Sequence, residues 1–274
     1  MKYTNIISTD ELARHLEESG WLIFDCRFEL SKPMAGEQAY AKAHILGAQY
    51  VHLDRDLAAP PNGKNGRHPL PDPEHFRQKL GSWGISSNKQ VVAYDDGSAV
   101  YASRFWWMLR WMGHEAAAVL DGGFNKWLEE DRPVTAKIPT ISPARFSGQA
   151  KNDLHKDLHW LKAHLGQPGV MVLDARNHDR FNGIGETFDP VGGHIPGALN
   201  RFFARNFDEQ GCFKPADELR EEFQKILGDT PPEQVIHSCG SGVSACNNLL
   251  AMEIAGLKGS VLYPGSWSEW CVNP

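Results

Sequence analysis

The stretch HSCGSGVSAC, His237 to Cys246, sets a cysteine at the end of an apolar run, then glycines and serines, then a helix-like segment. In an open α/β sheet, ligands gather beyond the carboxyl ends of the strands. QVIHS reads as such a strand, which puts Cys239 at its end. Gly240, Ser241, Gly242, Val243 and Ser244 follow as a short loop whose glycines let backbone N–H groups curl around the sulfur. Those donors and the start of a helix favour an anion. A reactive Cys239 thiolate with a lowered pKa is therefore expected. A buried, inert cysteine at a strand end is the plainer alternative. The glycine-rich turn and the helix start weigh towards the reactive one.

The rest of the loop narrows the chemistry. A phosphatase-style loop would need an arginine six positions after the cysteine to clamp a phosphate dianion. That position is Ala245, and the loop contains no charged residue. The thiolate must act on something less anionic, or the charge must be met from elsewhere. The first half of the chain carries a similar passage, AYDDGSAVYA, with Asp95 in the cysteine's place.

That likeness is one part of an internal repeat. WLIFDCR matches VMVLDAR and sets Asp25 on Asp174, an offset of 174 − 25 = 149. AHILGA matches GHIPGA at an offset of 193 − 43 = 150, and QVVAYDDG answers QVIHSCGSG at 239 − 95 = 144. GGFNKW answers GSWSEW, the two ending on Trp127 and Trp270. The order and the near-constant spacing imply two copies of one domain. Each copy alternates short apolar runs (WLIFDC, QVVAYD, VMVLDA, QVIHS, SVLY) with helical periodicity, as in HFRQKLGSWG, VYASRFWWMLRWMG and DELREEFQKILG. Such alternation predicts an α/β fold, each copy a parallel β-sheet flanked by helices on both faces. Ser8 or Thr9 is expected to cap a first helix that Gly20 stops. The expected domains are residues 1–130 and 154–274. The Pro-containing stretch 131–153 between them should drape over the surface as a linker.

Composition sets the outer bounds. Of 274 residues, 41% are hydrophobic and 23% charged, enough for packed cores. A formal charge of −6 argues against nucleic acid as a partner, since phosphate binding needs a basic face. No apolar run approaches the ~20 residues that span a bilayer, so no membrane partner is expected. The N-terminal stretch lacks the apolar core of a signal peptide. The five cysteines, at 26, 212, 239, 246 and 271, form no C-x-x-C pair. Neither a disulfide framework nor a zinc site is expected; no metal or cofactor is invoked, and a cytoplasmic location is the expectation.

The chain resembles the tandem-domain rhodanese-type sulfurtransferases. CGSGVSA closely resembles the loop of the 3-mercaptopyruvate sulfurtransferases: C-G-S-G, then Val or Thr, Thr or Ser, and Ala. DAR…RF, GHIPGA, SCGSGVSACNNLLAMEIAGL and YPGSWSEW are similar to further family blocks, so the likeness spans nearly the whole chain. The resemblance implies an active cysteine in the C-terminal copy and a catalytically silent N-terminal copy, which accounts for Asp95. It implies that Cys239 takes sulfur from 3-mercaptopyruvate as a persulfide, releasing pyruvate, and passes it to cyanide or to a thiol acceptor such as thioredoxin or a small thiol. Thiosulfate is the alternative donor, although thiosulfate-preferring relatives carry basic residues in this loop. A non-enzymatic persulfide carrier is the alternative of another class.

The resemblance also assigns helpers. Arg180, in DARNHDRF, matches the family's substrate-binding arginine, and a guanidinium fork suits a carboxylate. The following stretch, NGIGETFDPVGG, holds no second arginine. Gly240, Gly242, Val243 and Ser244 become the loop residues that meet the substrate. Ser241 matches a proton-transferring serine, with His68 of GRHPLPD and Asp54 of VHLDRD as relay partners from the first domain. The plainer reading of His68 is a packed loop histidine. Arg176, His194 and His237 read as structural. Cys246 reads either as a redox partner of Cys239 or as a packing residue.

Overall fold

A computed structural model describes residues 2–273; Met1 and Pro274, the outer ends of the two expected domain ranges, lie outside them. The chain divides into two compact units. The first comprises residues up to Ala58, Pro71–Lys151 and Glu209–Cys212; the second comprises Ala59–Leu70, Asn152–Asp208 and the residues from Phe213 on. The strap Ala59–Leu70, which carries His68, thus groups with the second unit, although its place in the sequence suggests the first.

Among the described residues the first unit holds seven strands: β1 (Ile6–Ile7), β2 (Trp21–Asp25), β3 (His44–Ile45), β4 (Gln49–Tyr50), β5 (Gln90–Tyr94), β6 (Ala117–Leu120) and β7 (Val134–Thr135). Five form a parallel sheet in the order β1-β6-β5-β2-β4, while β3 and β7 pair antiparallel. Every residue of β5 is buried, which is why its apolar run is continuous rather than alternating. Ser8 caps the first helix, Thr9–Arg14, accepting the Glu11 N–H at 3.2 Å, and the helix ends well before Gly20. Asp72 caps Pro73–Ser82 by accepting the His75 N–H at 2.9 Å, with proline where a missing N–H costs nothing. The aromatic run of Val100–Trp111 is core: Phe105 meets Phe24 edge-on at 5.1 Å, and Trp106 donates its indole N–H to the Thr4 carbonyl at 2.8 Å. Residues 136–151 hold neither helix nor strand and are tied to this unit by backbone bonds from Ala144 to Gly81 and from Lys151 to Trp111.

The second unit holds β8 (Met171–Asp174), β9 (Leu199–Asn200), β10 (Val235–Ser238) and β11 (Val261–Leu262). They form a parallel sheet in the order β11-β10-β8-β9, flanked by helices such as Ala216–Leu227 and Ala245–Ile254. Leu161, Val172, Ile236, Tyr263 and Trp267 are among its core residues. Each large apolar side chain so buried is worth roughly 1.5–3 kcal/mol.

The repeat extends to side-chain contacts. Arg27 forks onto Asp25 at 2.7 Å and donates to the Ala43 carbonyl at 2.7 Å; Arg176 does the same with Asp174 and the Gly193 carbonyl, both at 2.8 Å. His44 and His194 each bond a carbonyl through Nδ1 (Tyr40, 2.7 Å; Phe181, 2.8 Å) and stack on that residue's ring. Arg27 and Arg176 thus tie the end of each central strand to its GA-containing turn, and His44 and His194 brace that turn against the preceding helix.

His237 is fully buried in β10, with Nε2 3.2 Å from Ser260 Oγ. Burial, with a smaller contribution from the Arg201 charge, pushes its pKa down to about 3. The unfolded chain takes up this proton below about pH 6.5 and the folded chain does not, so stability falls as pH drops from about 6.5 towards 3. His114 and His155, also pushed down mainly by burial, act in the same sense. Replacing His237 with Gln should flatten this acid slope by nearly one proton, measured as the pH dependence of the urea midpoint. An unchanged slope would mean that the ring protonates without cost in the folded state.

Candidate functional site

Cys239 stands at the carboxyl end of β10 and is 2% exposed. Its N–H donates to Ser266 Oγ at 3.0 Å, its carbonyl accepts the Trp267 N–H at 3.1 Å, and the Gly240 carbonyl accepts the Ser268 N–H at 2.8 Å. The YPGSWSEW block thus pins the base of the cysteine loop. Gly242 lies at φ +73°, and a Cβ there would come within 2.3 Å of the Pro264 carbonyl oxygen, so the turn admits only glycine. The helix Ala245–Ile254 begins just beyond. Among the described residues, the N–H groups of Gly240, Ser241, Val243 and Ser244 donate to no protein oxygen. Cys246 is fully buried, and its thiol lies 3.4 Å from the Gly242 carbonyl oxygen, a packing position.

The first unit shows what such a loop holds. Asp95, the counterpart of Cys239, is buried and receives four backbone N–H groups: Gly97 (3.1 Å) and Ala99 (2.8 Å) on Oδ1, Tyr101 (2.9 Å) and Ala102 (3.3 Å) on Oδ2. Burial raises its pKa to about 6, against the pull of those four donors. The loop after the strand is therefore an anion cradle in this fold. In the first unit a carboxylate fills it. In the second unit the residue at its centre is a sulfur.

Two further groups of side chains converge on the cysteine loop. Ser241, 4% exposed, has its Oγ 2.7 Å from Nδ1 of His68, itself 5% exposed. Arg180 sits on the short helix His178–Phe181, whose N-cap Asn177 accepts the Arg180 N–H at 3.0 Å. A Cβ placed on Gly240 would lie 2.8 Å from Arg67 Nη2, 3.5 Å from Arg180 Nη2 and 3.8 Å from Arg180 Nη1. The absent side chain at position 240 is what allows two guanidinium groups to reach the loop.

Arg67 is the residue the sequence reading did not find; that reading left a second arginine at the site open and looked for one only in the stretch after Arg180. Its one sequence signal is its place beside His68 in GRHPLPD. The stretch after Arg180 holds no arginine, but it supplies two carboxylates. Glu186 accepts from Arg180 Nη2 at 2.9 Å and from Nε at 3.2 Å, and Asp189 pairs with Arg67 Nη1. Asp54 lies in the first unit, second in the short helix Leu53–Asp56, where its N–H donates to His52 Nδ1 at 3.2 Å. Among the described residues no cluster of His, Cys, Asp and Glu is arranged to hold a metal, and no helix is long and apolar enough to cross a membrane.

Comparison with known proteins shows the family. The Rhodanese-like domain family matches residues 8–130 and 157–273. A probable 3-mercaptopyruvate sulfurtransferase from Pseudomonas aeruginosa is 42% identical across 100% of this chain and 97% of its own. A thiosulfate sulfurtransferase from Cricetulus griseus is 33% identical across 98% of this chain and 92% of its own. A crystal structure from Escherichia coli, described as a 3-mercaptopyruvate sulfotransferase, superposes with a TM-score of 0.83 at 30% identity. That superposition covers 97% of this chain and 100% of the other.

Proposed function

The chain belongs to the rhodanese family, and from that premise we propose that it is a 3-mercaptopyruvate sulfurtransferase acting through a persulfide on Cys239. The observation that carries the choice of donor is the pair of arginines at Gly240. Arg180 spends Nε and Nη2 on Glu186, and Arg67 spends Nη1 on Asp189. Arg67 Nη2 and both terminal nitrogens of Arg180 approach Gly240, so the two guanidinium groups can each offer a donor to a single carboxylate.

With the carboxylate so held, the Cys239 thiolate attacks the substrate's thiol sulfur. A sulfur–sulfur bond forms, the sulfur–carbon bond breaks, and its electron pair leaves on carbon as the enolate of pyruvate. The proton lost from the substrate's thiol passes through Ser241 and His68 to the enolate carbon, which completes pyruvate. The persulfide anion left on Cys239 is stabilised by the loop N–H groups, as an oxyanion is in an acyl-transfer site. A thiol acceptor, a small thiol or a thioredoxin-like protein, then removes the outer sulfur, giving two half-reactions of the ping-pong type.

Thiosulfate is the second reading, favoured by relatives such as the one from Cricetulus griseus. The assay that decides is pyruvate formed from mercaptopyruvate against sulfite formed from thiosulfate, compared by kcat/KM. Mercaptopyruvate should be the better donor. Changing Arg180 or Arg67 to Ala should each lower its kcat/KM about tenfold to a hundredfold, with lysine restoring only part. Faster sulfite than pyruvate formation would overturn the assignment, and an unchanged kcat/KM would remove that arginine from the site.

A further inference from the structure

We propose that Glu186 and Asp189 set the donor preference of this site, cancelling the charge of Arg180 and Arg67 so that it accepts a monocarboxylate and turns away the compact dianion thiosulfate. The inference rests on the mercaptopyruvate reading above and assigns its selectivity to residues outside the cysteine loop.

The geometry separates two roles. The Glu186 and Asp189 side chains are 4% and 2% exposed, whereas those of Arg180 and Arg67 are 23% and 24% exposed. The carboxylates therefore lie on the protein side of the arginines and leave the ligand side open. Glu186 is fixed as well as buried, since Oε1 accepts the N–H groups of Thr187 (3.0 Å), Phe188 (2.8 Å) and Asp189 (3.2 Å). Burial pushes its carboxyl up, but the Phe188 N–H and the Arg180 guanidinium outweigh it and hold the group below its usual value. Glu186 therefore stays ionised at neutral pH. Asp189 lies between the two arginines, paired with Arg67 and 3.8 Å from Arg180 Nη2. A third arginine, Arg176, also lies 3.9 Å from Glu186 Oε2, but its charge is met by Asp174, 2.8 Å from its Nη2.

Two positive and two negative charges thus meet at the mouth of the loop. What the site offers a ligand is directed N–H donors with little net charge behind them. A carboxylate, with one charge over two oxygens, matches that offer. Thiosulfate brings one more negative charge into the same space beside two buried carboxylates, and at such separations the repulsion is weakly screened. Low net charge, rather than a lack of cations, is then what disfavours the dianion.

Glu186→Gln and Asp189→Asn keep side-chain shape while removing one negative charge each. Each should raise the ratio of thiosulfate to mercaptopyruvate kcat/KM about tenfold. Glu186→Asp shortens the side chain and keeps the charge, so it should depress both donors and leave the ratio in place. A ratio unmoved in Asp189→Asn, or moved as far in Glu186→Asp as in Glu186→Gln, would overturn the inference. Wild-type pyruvate formation is measured separately: its absence would sink the mercaptopyruvate reading, while its presence with an unmoved ratio sinks only this one.

Discussion

Cys239→Ser should abolish sulfur transfer from either donor while leaving the fold intact. An oxygen nucleophile cannot form the sulfur–sulfur bond on which both half-reactions depend, so no residual turnover through another route is expected. The substitution is nearly isosteric, at a residue whose backbone bonds to Ser266 and Trp267 do not involve the thiol. Thermal unfolding of the variant should therefore lie close to that of the wild type. Turnover above the uncatalysed background in a folded Cys239→Ser protein would show that another group carries the sulfur. Cys246→Ser is the companion variant, and because that thiol packs in the helix start rather than facing a donor, it should retain most of the activity.

The second large effect concerns proton transfer. The enolate of pyruvate is a poor leaving group unless it is protonated as it departs, whereas sulfite leaves from thiosulfate as a stable anion. With Ser241 Oγ 2.7 Å from His68 Nδ1, both buried, the pair is placed to move that proton. Ser241→Ala and His68→Gln should each lower mercaptopyruvate kcat by about 10²–10⁴-fold and leave thiosulfate turnover nearly unchanged. Equal losses on both donors would mean that the pair only shapes the loop. Because the two residues act as a unit, the double variant should be little worse than either single one.

Much of this was legible in the sequence because it is local. Cys239 follows its strand and precedes its helix within a few residues, so strand end, turn and helix start are read from one segment. The duplicated blocks align Asp25 with Asp174, and Arg176 was read as structural; the contacts of Arg27 with Asp25 and Arg176 with Asp174, each two residues apart at a strand end, show how the repeat is used. Arg67 was hidden for the opposite reason. It reaches the loop from a strap without regular structure, and no periodicity marks a residue whose partners, Asp189 and the Gly240 region, lie more than a hundred positions away. The same distance hid the grouping of Ala59–Leu70 with the second unit. Glu186 and Asp189 fall in a stretch noted for its lack of arginine, and their meaning appeared only once the two guanidinium groups were seen against them. The absent cation in the loop was read correctly. Of the two consequences left open, a less anionic substrate or charge met from elsewhere, the structure adds weight to the second, since Gly240 leaves room for Arg67 and Arg180.

The most direct test of the account is where the sulfur resides after the first half-reaction. The protein is mixed with mercaptopyruvate in the absence of an acceptor, alkylated, digested and mapped by mass spectrometry. The peptide bearing Cys239 should gain one sulfur, ~32 Da, in step with one equivalent of pyruvate released, and the addition should vanish when a thiol acceptor is supplied. An added sulfur found on Cys246 or another cysteine, or a burst of pyruvate with no sulfur on Cys239, would contradict it.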